Sequence, residues 1–437
     1  MSKKDNKKTI IEIISKQHNF ALMCLSFPSG LVFMLIVSTL PIWLKDINFS
    51  VKQISYIFLI SLPYSLKFLW APLIDKLKIP MLTRKLGQKK SWILIAQIFL
   101  FMAMVCLAYF SYRPNIFVIW ICAFFVALFV ATQDSAIDGY RIDSLTKEEL
   151  GMGTSFSGIG FRIGMLISGA GSIYLAYKYS WPTMYIIMSL LILAGPLALI
   201  IAKNPNCTNC NKHPNRIPTN AKQSNNYSYK EAINYFIKVA KHKEWFYIVL
   251  LIFLLKISDA IPHAMGPLFF MDLGFSKVHL SHAKFLCGLL TSLGAFIGGI
   301  MTTKINNIYK NILYGGFIQY VGPVILLFTS YLGYSESMFY ISQGVQCFVT
   351  GLTNIILVTY LSSLSYGTYS TTRYTILYSF NSMSRIVLSV SAGYIFTWLG
   401  SNWTLFFFYT TLTGALFILP AVKLNKLHFE LDNKNKL

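Results

Sequence analysis

The sequence predicts an all-α membrane protein with twelve transmembrane helices arranged as two six-helix bundles. Three observations carry this. The 437-residue chain is 55% hydrophobic and 16% aromatic but only 12% charged, with a mean hydropathy of +0.54, which leaves too few polar residues to clothe one soluble core. Its apolar residues fall in runs of about twenty, the length that crosses a bilayer. The two halves of the chain also repeat each other.

Spans 1 to 6 are expected near residues 20–42, 51–74, 92–112, 116–137, 154–177 and 182–202. Spans 7 to 12 follow near 245–271, 283–303, 312–332, 338–361, 374–397 and 403–423. The first eighteen residues are charged and the apolar run behind them is long, with no small-residue cleavage pattern, so span 1 is expected to be retained. A stretch rich in Asn, Lys and Pro divides six spans from six. It sets the expected domains: an N-terminal bundle over 1–202, a cytoplasmic middle loop over 203–243 and a C-terminal bundle over 244–437.

The formal net charge of +22 is informative through its placement. With the N-terminus inside, and with Lys52, Lys284 and Lys423 at the span ends counted with the side they border, 28 of the 38 Lys and Arg residues fall in cytoplasmic segments, 6 in outside loops and 4 within spans. The positive-inside rule therefore predicts that both termini are cytoplasmic. Nucleic acid is excluded as a partner because no soluble basic domain exists to carry it. Cys24, Cys106, Cys122, Cys287 and Cys347 lie in spans and read as small apolar residues. Cys207, Cys210 and His213 of the middle loop supply three ligands where a closed zinc site needs four, so no metal or cofactor is expected.

The repeat is explicit. Pro41, Asp46, Phe49, Ser50, Ile54 and Ser55 recur as Pro267, Asp272, Phe275, Ser276, Leu280 and Ser281, all at an offset of 226. Arg162, Ile163, Ser168 and Gly169 of span 5 recur as Arg385, Ile386, Ser391 and Ala392 of span 11, at an offset of 223. Six spans return the chain to its starting side, so the two copies have parallel topology. This is the arrangement of major facilitator transporters.

Charged groups inside spans are expensive and mark function. Lys67, Arg162, Lys256 and Arg385 are candidates for holding an anionic substrate, since ammonium and guanidinium groups suit carboxylate or phosphate. Gln133 adds an uncharged donor and acceptor suited to amides or sugar hydroxyls. Asp134, Asp138 and Asp259 are candidates for proton coupling. The competing reading is structural pairing: Lys256 with Asp259 at i,i+3, Arg162 with Asp134 or Asp138, and Asp138 with Arg141. His263, after Pro262, is either a proton carrier or a cap on backbone freed by the proline. Pro63, Pro72, Pro262 and Pro267 are candidate bends. The loop after span 2 carries Asp75, Arg84 and Lys85, read either as a gating loop or as an ordinary basic inner loop.

Five blocks point to a narrower relationship: SFPSGL at Ser26–Leu31, KFLWAPLIDK at Lys67–Lys76, TQDSAIDGYRID at Thr132–Asp143, GFRIGMLISG at Gly160–Gly169 and KISDA at Lys256–Ala260. In order and spacing they resemble the AmpG-type muropeptide permeases and, more distantly, the acetyl-CoA transporter family. The resemblance covers most of the first half and span 7, and thins through spans 8 to 12. It implies proton-driven import of anhydro-muramyl peptides, anionic glycopeptides from cell-wall recycling, across a bacterial inner membrane. By position it carries roles onto Lys67, Gln133, Asp134, Asp138, Arg162, Lys256 and Asp259. The expected partners are this small-molecule substrate, protons and the lipid bilayer, with the protein a monomer. The chain departs from longer members in its twelve spans and its Asn-rich middle loop.

Two alternatives stay open: a different anionic cargo such as a coenzyme A thioester or nucleotide, and a non-transporting sensor using the Cys207 to His213 loop. An enzyme is not expected, because no span presents a nucleophile, base and orienting group at recognisable spacing. The acids are also asymmetric. An offset of 223 sets Asp134 on Leu357 and Asp138 on Leu361, so only the first half keeps them.

Overall fold

The computed structural model describes residues 17–47, 60, 62–112, 115–146, 148–202, 243–305, 307–366 and 369–424. Every regular element among them is helical. Among the described residues, ten helices are long and apolar enough to cross a membrane. They cover all the expected spans except 2 and 11. Span 11 is a 29-residue helix, Ser370–Trp398, whose Ser, Thr, Asn and Arg residues dilute its apolar character. Span 2 is described over its second half, as Leu62–Leu66, a 3-10 turn Lys67–Leu69 and Ala71–Lys76. The result is the twelve-helix, all-α architecture the hydropathy pattern predicts. Cys207, Cys210, His213 and most of the middle loop lie outside the described residues, as do Phe49, Ser50, Ile54 and Ser55 of the repeat.

Helix ends follow local chemistry. Asn115, Ser180, Ser276, Asn307 and Asn402 each accept a backbone N–H of the first turn through the side chain, at 3.0, 3.4, 3.4, 3.0 and 3.1 Å. Such caps satisfy donors that a helix leaves open. Pro262 and Pro267 sit inside the continuous helix Lys243–Asp272. Pro63 and Pro72 instead stand near the starts of the two short helices of span 2, on either side of the turn that holds Lys67. Span 1 is also irregular: Gln17–Met34 passes through a π-helical turn, Leu35–Thr39, into Leu40–Asp46.

The chain divides into two compact units, Met1–Asn225 with Ser362–Thr375, and Asn226–Leu361 with Ile376–Leu437. In the first unit, Trp43, Met184, Tyr185 and Met188 pack with apolar residues of spans 1, 3 and 4, and the Trp43 and Tyr185 rings meet edge-on at 5.2 Å. Span 5 lies against span 1 so closely that a Cβ on Gly160 would run into the Met23 carbonyl. Small residues permit such approach where lipid offers no hydrophobic drive to association. In the second unit, Phe269, Phe270, Phe339, Phe406 and Phe407 form the core.

The repeat appears as matched contacts. Trp181 donates through Nε1 to Asp46 Oδ2 at 2.7 Å, and Trp403 donates through Nε1 to Asp272 Oδ2 at 2.9 Å. Each copy thus ties the end of its first span to the start of its sixth. One reading of the cysteines needs correction: Cys287 of span 8 and Cys347 of span 10 are joined in a disulfide, with Cα atoms 5.2 Å apart. They are too far apart in sequence for spacing to reveal the pairing. Cys24, Cys106 and Cys122 are free thiols.

Candidate functional site

The charged residues singled out from sequence gather into separate clusters, one group in each unit. In the first, Lys67 sits at the 3-10 break of span 2, 4% exposed. Its Nζ lies 3.4 Å from Asp138 Oδ2, while Arg141 Nη2 reaches Asp138 Oδ1 at 3.0 Å. Asp138 is therefore the carboxylate between two buried cations. Asp134, one turn earlier and partly buried, has Lys67, Ser29 and Tyr64 as electrostatic neighbours. Gln133 is fully buried. It donates to Ser29 Oγ at 2.9 Å and toward the Leu25 carbonyl at 3.5 Å, and its Oε1 has no partner among the described residues. Arg162 is partly buried on span 5, one turn past Ser157, whose hydroxyl meets that of Ser26 at 2.5 Å.

Nearer the basic end of the same unit, Asp75 is a hub. Its Oδ2 accepts the backbone N–H and hydroxyl of Thr372 at 2.8 and 2.7 Å, and its Oδ1 pairs with Lys89. Lys89 also donates to Thr371 Oγ1 at 2.5 Å. The carboxylate thereby caps the helix that starts at Ser370, satisfying an open donor and complementing the positive helix end. Arg141 donates to Ser362 Oγ at 3.1 Å and stacks its guanidinium 5.3 Å from the Tyr374 ring centre. Ser370 donates to Asp143 Oδ1 at 2.9 Å. Arg84 and Lys85, on the short helix Leu82–Leu86, are exposed; Lys89, another basic residue of the same loop, is the cation that meets Asp75.

In the second unit, Lys256 and Asp259 are 3% and 6% exposed and pair at 2.7 Å, one helical turn apart. Arg385 approaches the same oxygen, Asp259 Oδ2, at 3.4 Å, with its side chain 53% exposed. Thr350 donates to Asp259 Oδ1 at 3.3 Å. Beside the pair is a small cavity of about 20 Å³, room for a single water, whose polar lining is Lys256, Asp259, Gln319, Thr350, Thr353 and Asn354. Gln319 accepts from the Thr353 hydroxyl and donates to the Ser258 carbonyl at 3.4 Å. His263 is a further electrostatic neighbour of Asp259. Sequence reasoning missed Gln319, Thr350 and Thr353. Gln319 had a signal: a polar residue within a span, 222 positions after the equally buried Gln97.

Residues 22–365 match the Major Facilitator Superfamily. The chain belongs to it. The permease is 35% identical, over 95% of its own length and 98% of its relative's, to "Putative transporter AmpG 3" of Rickettsia prowazekii (strain Madrid E), and 33% identical, over 95% and 98%, to the protein of that name in Rickettsia typhi (strain ATCC VR-144 / Wilmington). These relatives make it an AmpG-type member. The crystal structure of the superfamily transporter FucP in the outward conformation superposes with a TM-score of 0.68, covering 93% of this chain and 98% of that one at 14% identity. A structure of the Escherichia coli fucose:proton symporter FucP gives 0.60 with the same coverage and identity. At such identity the likeness concerns the fold. The permease is a multi-pass membrane transporter and not an enzyme.

Proposed function

We propose that the permease imports anhydro-muramyl peptides together with protons across a bacterial inner membrane, with both termini in the cytoplasm. The observation that carries this reading is the span-4 turn: Asp134 and Asp138 cluster about the buried Lys67, with Gln133 beside them on Ser29, in a helix that is apolar from Ile116 to Ala131. A carboxylate held between burial and a nearby cation can take up and release a proton. Asp134 is the carrier in this account, because Asp138 is already shared by Lys67 and Arg141. The relatives named AmpG support the cargo, and the fucose:proton symport of FucP supports proton coupling on this fold.

The cargo's carboxylates suit Lys67, Arg162, Lys256 and Arg385, with guanidinium forks best matched to a carboxylate. Its sugar and amide groups suit the open Oε1 of Gln133. The bundles 1–202 and 244–437 act as the two moving halves, joined by 203–243. The loop through Asp75, Arg84 and Lys85 is the gate, and each transport cycle breaks and remakes the contact of Asp75 with Thr372.

The test is uptake of labelled anhydro-muropeptide into proteoliposomes, with an unlabelled coenzyme A thioester as competitor. Accumulation that muropeptide but not the thioester suppresses supports the reading. Stronger suppression by the thioester than by unlabelled muropeptide would replace the cargo, and absence of uptake in sealed, oriented vesicles would remove it.

A further inference from the structure

Each unit holds a carboxylate between a lysine and an arginine, but the two triads differ in one respect. In the first unit the arginine is closed in, with the Arg141 side chain 4% exposed. In the second the lysine and acid are buried while Arg385 stays 53% exposed and touches Asp259 through a single contact of 3.4 Å. That contact is long for a charge-assisted hydrogen bond. A guanidinium has five N–H donors, so Arg385 retains donors turned toward open space. Charged side chains within spans face the bundle interior or a water-filled cavity in nearly every case.

We propose that Asp259 is a displaceable internal counter-ion, standing in for a carboxylate of the ligand at Arg385. The inference rests on the reading of the permease as a carrier of carboxylated cargo. Asp259 has two seats. Its Oδ2 serves Lys256 and Arg385; its Oδ1 meets Thr350, on the wall of the cavity that Gln319, Thr353 and Asn354 also line. Arg385 is not part of that wall. When an incoming carboxylate takes Arg385, Asp259 keeps Lys256 and turns further into the cavity, where hydroxyl and amide donors replace the lost guanidinium. Two cations and two carboxylates then balance. Without a ligand, Asp259 neutralises charge that would otherwise leave two cations facing one another.

Acetate, with acetamide as the uncharged control, tests the exchange without assuming the cargo. The readout is the acetate concentration that gives half-maximal thermal stabilisation of the detergent-solubilised full chain. Asp259→Asn removes the competing carboxylate and is expected to lower that concentration about tenfold, the worth of one charged hydrogen bond. Arg385→Gln is expected to abolish the effect in either background. Equal half-effects in wild type and Asp259→Asn, or acetamide matching acetate, would overturn the proposal. Should Asp259→Asn not fold, Thr350→Val decides: losing the cavity-side seat is expected to raise the half-effect several-fold, and an unchanged value refutes the exchange. A chain that responds to acetate but takes up no muropeptide keeps this inference and loses the proposed cargo; the reverse outcome does the opposite.

Discussion

Asp138 offers the sharpest quantitative prediction, because it serves two buried cations at once. At separations of 3.4 and 3.0 Å from Lys67 and Arg141, each pair is worth about 5 kcal/mol of Coulomb attraction at an effective dielectric of about 20. Most of that is offset by taking the ions out of water. Asp138→Asn takes one carboxylate from both cations and is expected to cost about 3–5 kcal/mol. Lys67→Met leaves Asp138 paired with Arg141 and is expected to cost less, about 1–3 kcal/mol. The double variant Lys67→Met/Asp138→Asn removes a cation along with its acid. It should be more stable than Asp138→Asn alone, with a coupling energy of about 1–3 kcal/mol in the cycle. The assay is denaturant unfolding in mixed micelles, followed by tryptophan fluorescence. If Lys67→Met is at least as damaging as Asp138→Asn, or the double variant recovers nothing, the triad is not organised around Asp138.

Three further outcomes are expected. At the gate, Asp75→Ala and Lys89→Ala should each lower unfolding stability by about 1–2 kcal/mol, while Arg84→Ala and Lys85→Ala, on exposed side chains, should stay within about 0.5 kcal/mol. The opposite ranking would place the closing contacts of that loop at Arg84 and Lys85 rather than at Asp75 and Lys89. Trp181→Phe and Trp403→Phe each delete one indole-to-carboxylate hydrogen bond, costing about 1–2 kcal/mol, and the two losses should add because each clasp lies inside its own unit. Strong non-additivity in thermal unfolding would contradict that. Mass spectrometry of a non-reduced digest should find a peptide linking Cys287 to Cys347, and Cys287→Ser should cost about 2–4 kcal/mol for a bridge that spans 60 residues. Full alkylation of both thiols before reduction would refute the bridge.

What was legible in the sequence was whatever depends on local pattern. Apolar run length located the spans, and the i,i+3 spacing of Lys256 and Asp259 anticipated their ion pair. The repeat marked Asp46 and Asp272 as equivalent, yet not their partners, because Trp181 and Trp403 come from spans five places further on and only packing brings them in. For the same reason Lys89 rather than Arg84 meets Asp75: helix phase decides which basic residue of a loop turns inward, and the helix begins at Gln88, after Gly87. Arg141 read as a loop residue, but its helix continues to Ser144 and buries it. Span 11 is the converse case. Its polar residues weaken the hydropathy signal, and one of them, Arg385, meets the Lys256–Asp259 pair.

Gradient-driven accumulation tests the central claim most directly. In proteoliposomes with an inward proton gradient, wild-type permease should concentrate labelled anhydro-muropeptide. Asp134→Asn should still exchange internal for external label but should no longer accumulate it. Accumulation by Asp134→Asn equal to wild type, or wild-type uptake indifferent to the gradient, would contradict the account.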